Sequence, residues 1–281
     1  MTKWASISAP HFNLRLTLES GQVFHWLPEE GGAYRGLIGH LPVRVKQEAD
    51  KLWVTPGAEA AAARYFALDH DLPAICASFP TDAAMTEAAA FCGGLRLIRQ
   101  PLWECLATFL TSSMKQVAHI RQMSLALRQR FGRPVSGWHP LAVYPQPERL
   151  AQATEEELRA CGLGFRARHL LGTARHVAEG VVDLEAIRTM DDAAVLAELC
   201  RLPGVGPKIA NCVLLFAYER LRAFPIDVWI ERVLRKSYFT QKRKVTAKQL
   251  REFAAGSFGP YGGYAQQYLF HHARSQSRLR S

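Results

Sequence analysis

The chain has 281 residues, 48% of them hydrophobic and 21% charged, and carries a formal net charge of +10 at pH 7. That length holds two or three modest domains, the balance is that of a folded globular chain, and with no apolar run near the ~20 residues of a bilayer span a membrane helix is excluded. The cationic excess points to a polyanionic partner, with nucleic acid ahead of an anionic membrane.

The opening MTKWASISAP has no signal-peptide core, so an intracellular protein is expected. Over the first fifty-odd residues LRLTL (14–18), QVFHW (22–26), LPVRVK (41–46) and KLWVTP (51–56) alternate apolar and polar positions between turn residues. This pattern predicts a small antiparallel sheet. From Ala58 the period becomes helical, in AEAAAARYFALD, TDAAMTEAAAFC and the long run from Pro101 to Phe131, and the rest of the chain is expected to be all-helical. A Pro-rich break, GRPVSGWHPLAVYPQPERL, follows; Thr154-x-x-Glu157 then marks a helix start as a capping box, and RARHLLGTARHVAEG resumes a helix. The expected fold class is α+β, with a strand-rich N-terminal domain over residues 1–90 and a helical region over 91–281.

Cys76, Cys92, Cys105, Cys161, Cys200 and Cys212 form no CxxC pair and have no partner histidines at zinc spacing. They read as reduced thiols, with no metal, iron–sulfur cluster or other cofactor implied. Arg232, Arg235, Lys236, Lys242, Arg243, Lys244, Lys248 and Arg251 make a basic run without an acid, which is either a solvated face or a nucleic-acid surface. His271 and His272 read as a solvated helix end or a phosphate-facing surface.

Chemistry concentrates in LPGVGPKIANC (202–212). Asp191 or Asp192 caps one helix, LPGVG reverses the chain, and Pro207 suits the first turn of the next, which predicts a helix-hairpin-helix at about 192–218. Backbone N–H groups at Gly204, Val205 and Gly206 would hold a DNA phosphate without reading sequence; an ordinary helix corner is the plain alternative. Lys208 and Cys212 are one turn apart and share a face. A desolvated lysine at a helix N-terminus is biased toward the neutral, nucleophilic amine. Asp227, in FPIDVWI among apolar neighbours, reads as a helix cap whose carboxylate stays ionised and can stabilise cationic character on a sugar ring.

LPGVGPKIANC followed by PIDVW resembles the signature of the helix-hairpin-helix Gly/Pro-Asp base-excision DNA glycosylases, and within them the 8-oxoguanine DNA glycosylases. SGQVFHW (20–26), RLIRQPLWECLATFLTSS (96–113), GLGFRAR (162–168) and FGPYGGYAQQYLF (258–270) look like further segments in the family's order. The resemblance implies a TATA-binding-protein-like N-terminal domain and a bifunctional glycosylase and lyase acting, as a monomer, on duplex DNA that contains an oxidised purine. It implies that Lys208 attacks C1′ and carries the β-elimination through an imine, and that Asp227 assists. It implies a base pocket of Gly21, whose carbonyl would accept the N7 hydrogen of 8-oxoguanine, Gln266 on the Watson–Crick edge, and Cys212 and Phe270 on the two faces. Phe165 matches an aromatic wedge and Arg166 a group that holds the orphaned base; extrusion is required because C1′ is inaccessible in the stack.

Three positions depart from the family pattern. Met114 stands where an asparagine contacts the orphaned cytosine, His119 where an arginine is expected, and Trp229 where a histidine touches phosphate. Because Met114 cannot hydrogen-bond cytosine, a weaker preference among opposite bases is expected. The alternatives are an endonuclease III-like glycosylase for oxidised pyrimidines, against which the N-terminal sheet and the missing cluster cysteines argue, and a non-catalytic hairpin DNA-binding protein.

Overall fold

The computed structural model describes residues 3–113, 115–240 and 244–279. The N-terminal part is an antiparallel sheet of β1 (Ala5–Ser8), β2 (Leu27–Pro28), β3 (Tyr34–Ile38), β4 (Leu41–Glu48) and β5 (Lys51–Val54), in the spatial order β1-β5-β4-β3-β2. Val43, Val45, Leu52 and Val54 alternate with more exposed neighbours and are buried, and Val45 lies opposite both Tyr34 and Val54. One face of the sheet is therefore core, as period-two patterning requires.

Two of the expected strands take other forms. LRLTL lies in a helix, α1 (Leu14–Glu19), capped by Asn13, whose side chain accepts from Leu16 N at 3.0 Å. Its buried residues are Leu14, Thr17 and Leu18, a helical spacing hidden inside an apparent alternation. QVFHW is irregular because every one of its side chains is buried and no face is left for water. Side-chain amides replace the ladder there: Gln22 Oε1 accepts from Ile98 N at 2.8 Å, Gln22 Nε2 donates to Arg96 O at 2.9 Å, and Gln100 Nε2 donates to Gln22 O at 2.9 Å.

The helical part begins with α2 (Glu59–Tyr65), which packs on the sheet, and continues with α3 (Leu72–Ala77) and α4 (Ala83–Phe91). Buried residues of α3 and α4, Leu72, Ile75, Met85 and Ala88, join the large core of the later helices rather than that of the sheet. The run from Pro101 to Phe131 is two helices, α5 (Leu102–Thr111) and α6 (Val117–Phe131). Thr111 and Ser112 hydroxyls donate back to the carbonyls of Ala107 and Phe109 at the break. The remainder departs from all-helical at a two-residue ribbon, β6 (Arg133–Pro134) with β7 (Ala142–Val143). Then come α7 (Pro147–Ala151), α8 (Glu155–Leu158) with the Thr154 capping box complete, α9 (Arg166–Ala178), α10 (Asp192–Cys200), α11 (Pro207–Phe216), α12 (Val228–Tyr238), α13 (Ala247–Ser257) and α14 (Gly262–Leu279).

A buried polar cluster ties the sheet side to the helices. His25 Nδ1 lies 3.3 Å from Glu104 of α5, Glu104 pairs with Arg128 of α6, and Arg128 donates to Ala142 O at 2.9 Å. Burial, then the nearby Arg128 charge, hold His25 well below the ordinary imidazole range. Among the described residues no helix is long and apolar enough to cross a membrane, and no group of three His, Cys, Asp or Glu is arranged to hold a metal ion.

Candidate active site

The helix-hairpin-helix forms as its local chemistry dictates. Asp191 caps α10 by accepting from Ala194 N at 2.8 Å, and Pro207 opens α11 after Gly206. Gly204 sits at φ 79°, and a Cβ there would lie 2.6 Å from the His169 ring. Glycine is therefore required twice over, for the left-handed backbone and for the contact with α9. Val205 is buried and anchors the turn.

The second residue of α11, Lys208, opens into a cavity of about 560 Å³. Gly21, Phe24, Phe109, Cys212, Asp227, Gln266 and Phe270 line the same cavity, brought in from five separate segments of the chain. Lys208 stands one helical turn from Cys212, and its Nζ lies 5.3 Å from the centre of the Phe109 ring. Burial pushes the Cys212 thiol up, the Lys208 charge pulls the other way, and the net upward shift leaves a neutral thiol at neutral pH.

Asp227 is the N-cap of α12, as its position after Pro225 predicts. Its Oδ1 accepts from Trp229 N at 3.0 Å and Ile230 N at 2.9 Å. Among the described residues no hydrogen bond or ion pair engages Oδ2, so the side chain keeps an oxygen in reserve. Gln266 is buried, and among the described residues its Oε1 has no hydrogen-bond partner. An orphaned buried acceptor facing a cavity is costly unless a ligand supplies a donor.

Gly21 has φ 90°, and a Cβ there would fall 2.5 Å from Arg274 and 3.3 Å from Phe270. The turn that carries it is held by Gln267, which donates to Ser20 O at 3.2 Å, and by Arg274, which donates to Glu19 O at 2.7 Å. The Arg274 guanidinium also lies over the Phe270 ring at 5.3 Å. Sequence reasoning missed Phe24, Phe109, Phe216, Lys115, Gln267 and Arg274 in this lining. Only Arg274 had a signal, its spacing of four from Phe270 and eight from Gln266 along one helix face.

With this geometry in hand, residues 5–106 match the family model described as the 8-oxoguanine DNA glycosylase N-terminal domain, and residues 108–256 match that of the HhH-GPD superfamily base excision DNA repair proteins. The chain belongs to the 8-oxoguanine DNA glycosylase family. It is 30% identical to the N-glycosylase/DNA lyase OGG1 of Arabidopsis thaliana, over 95% of this chain and 80% of that protein. A structure of MBOgg1 in complex with a low affinity DNA ligand superposes with a TM-score of 0.92 at 32% identity, over 98% of this chain and 96% of the other. The Clostridium acetobutylicum 8-oxoguanine glycosylase/lyase, in complex with dsDNA containing cytosine opposite 8-oxoG, superposes at 0.89 with 28% identity, over 95% and 93% of the two chains.

The remaining residues carried over from the glycosylase family lie outside the cavity or at its mouth. Phe165, 51% exposed, stands at the start of α9. Arg166 is buried beside it, donating to Ser113 O at 2.8 Å and Leu163 O at 3.2 Å, so its guanidinium holds the chain next to position 114. Met114 itself lies outside the described residues, as do Lys242 and Arg243 of the basic run. His119 is exposed near the start of α6, and Trp229 lines the mouth with the Arg232 guanidinium 5.4 Å from its ring centre. The reading of His271 and His272 as a solvated end is corrected: His271 is buried, and both rings pack on Phe91 at 5.7 and 5.4 Å.

Proposed function

We propose that this chain binds duplex DNA, turns an 8-oxoguanine nucleotide into the cavity, excises the base and cuts the strand at the abasic sugar. The observation that carries this reading is the meeting of Lys208, Asp227, Cys212, Gln266, Phe270 and Gly21 in one cavity of about 560 Å³, a size suited to a nucleobase and its sugar. The Lys208 Nζ lone pair forms a bond to C1′ as the glycosidic C1′–N9 bond breaks. The base leaves with that electron pair and takes up a proton. Asp227 stabilises the positive charge that develops on the sugar ring. Ring opening gives an imine between Nζ and C1′; loss of the C2′ proton then expels the 3′ phosphate by cleavage of C3′–O3′.

In the bound state the Gly21 carbonyl accepts the N7 hydrogen that guanine lacks, Gln266 reads the Watson–Crick edge, and Cys212 and Phe270 pack on the base faces. Gly204 and Gly206 grip a phosphate while Val205 N donates to Leu202 O at 3.1 Å and closes the turn between them, Trp229 lies along the backbone, and Phe165 fills the gap in the stack. Arg166 and His119 flank the orphaned base, whose identity matters little because Met114 offers it no hydrogen bond. The protein acts as a monomer inside the cell, and its two domains are residues 1–90 and 91–281.

The test is cleavage and borohydride trapping on duplexes with 8-oxoguanine opposite C, A, G or T, using wild type and Lys208→Gln. Wild type is expected to cut all four duplexes at similar rates and to be trapped, with no trapping of the variant. A trapped Lys208→Gln would reject the nucleophile, and a strong preference for cytosine would reject the argument from Met114.

A further inference from the structure

We propose that Phe109 is a positioning residue for Lys208: its ring face seats the resting side chain and sets the direction from which the amine reaches the sugar. The Nζ lies 5.3 Å from the ring centre, within the range of attraction between an ammonium and an aromatic face. The ring itself is fixed. It lies flat on Phe216, with centroids 5.4 Å apart and planes 7° apart, and meets Phe24 edge-on at 6.3 Å and 79°. All three rings are buried and line the cavity.

The seat is assembled from distant segments. Phe24 follows Gly21 in the irregular segment 22–26, Phe109 belongs to the last turns of α5, and Phe216 closes the helix that carries Lys208 in its first turn. Held against the Phe109 ring, the flexible lysine stem loses less freedom when it attacks. The ring attracts the ammonium and not the neutral amine. It therefore retains the side chain at rest and releases it once a proton has left.

This inference rests on Lys208 as the nucleophile. The experiment is single-turnover cleavage and borohydride trapping of an 8-oxoguanine duplex, with duplex affinity and thermal midpoint measured on the same preparations of wild type, Lys208→Gln, Phe109→Tyr and Phe109→Leu. Phe109→Tyr keeps the ring and is expected to stay close to the wild-type rate. Phe109→Leu is expected to be trapped about tenfold more slowly at unchanged duplex affinity, a loss of orientation. Should Phe109→Leu fail to fold, Phe109→Met replaces it. A wild-type rate in the leucine variant, or equal losses in both variants, would overturn the proposal; trapping of Lys208→Gln would instead reject the nucleophile on which it rests.

Discussion

Gln266 illustrates how a single side chain can serve function against stability. Its amide oxygen is buried in the cavity wall with no hydrogen-bond partner among the described residues, so the folded protein bears the cost of desolvating it without the return of a hydrogen bond. Replacing it with an apolar side chain of similar size removes that cost. Gln266→Leu is therefore expected to keep or raise the thermal midpoint while capture and excision of 8-oxoguanine weaken, by about 1–3 kcal/mol if one buried hydrogen bond is lost. Parallel thermal melts and single-turnover excision from an 8-oxoguanine duplex check this; a destabilised variant with an intact excision rate would show that the amide is structural. Asp227 is different, because its cap bonds to Trp229 N and Ile230 N repay its burial and leave the other oxygen for chemistry.

At the scale of elements, the hairpin between α10 and α11 was legible because its chemistry is local: an acid cap, a Pro-Gly turn and a proline in the first helical turn. Gly204→Ala tests it. Left-handed backbone and a methyl 2.6 Å from the His169 ring are together expected to cost about 1–3 kcal/mol in urea denaturation and to weaken duplex binding, since the phosphate-facing amides shift. A variant as stable as wild type would mean that the turn relaxes freely. Where local pattern failed, the reason is equally physical. LRLTL fits both periods over five residues, and the Asn13 cap with burial of Leu14, Thr17 and Leu18 decides for a helix. QVFHW is buried on every side, so its apparent alternation had no solvent face to report. Phe109 was invisible because all of α5 is buried, and nothing local marks one core phenylalanine as the one beneath a lysine.

Across the whole molecule, the segment after α2, the irregular segment between α4 and α5 at Arg99, the turn after α11 and α14 meet in one polar network. Arg99 donates to both oxygens of Asp69, at 2.6 and 2.9 Å, and through Nε to Glu219 at 2.5 Å. His70 lies 3.0 Å from Glu219 and 2.8 Å from the Tyr264 hydroxyl. Glu219 has φ 58°, a strained value for a side-chain-bearing residue, and this two-sided hold keeps it there. Burial and then the Arg99 charge lower the His70 pKa, only partly offset by Glu219, and Nε2 of the ring lies 3.0 Å from both Glu219 and Arg99. Burial alone would raise the Glu219 carboxyl, but the hydrogen bond and charge of Arg99, with His70, outweigh it and bring it down. A lowered histidine contributes stability that is complete above its unfolded value near 6.5 and is lost as pH falls below it, because the unfolded chain then takes up a proton that the fold refuses. The lowered carboxylate acts in the same direction further down, its contribution lost as pH falls through its folded value. Wild type is therefore expected to lose stability between pH 7.5 and 5.5, and His70→Gln to lose less over that interval because Gln binds no proton. Urea midpoints of the two proteins at both pH values decide it: an equal loss in each would assign the acid sensitivity to His25 or another site and leave the network with a purely structural role.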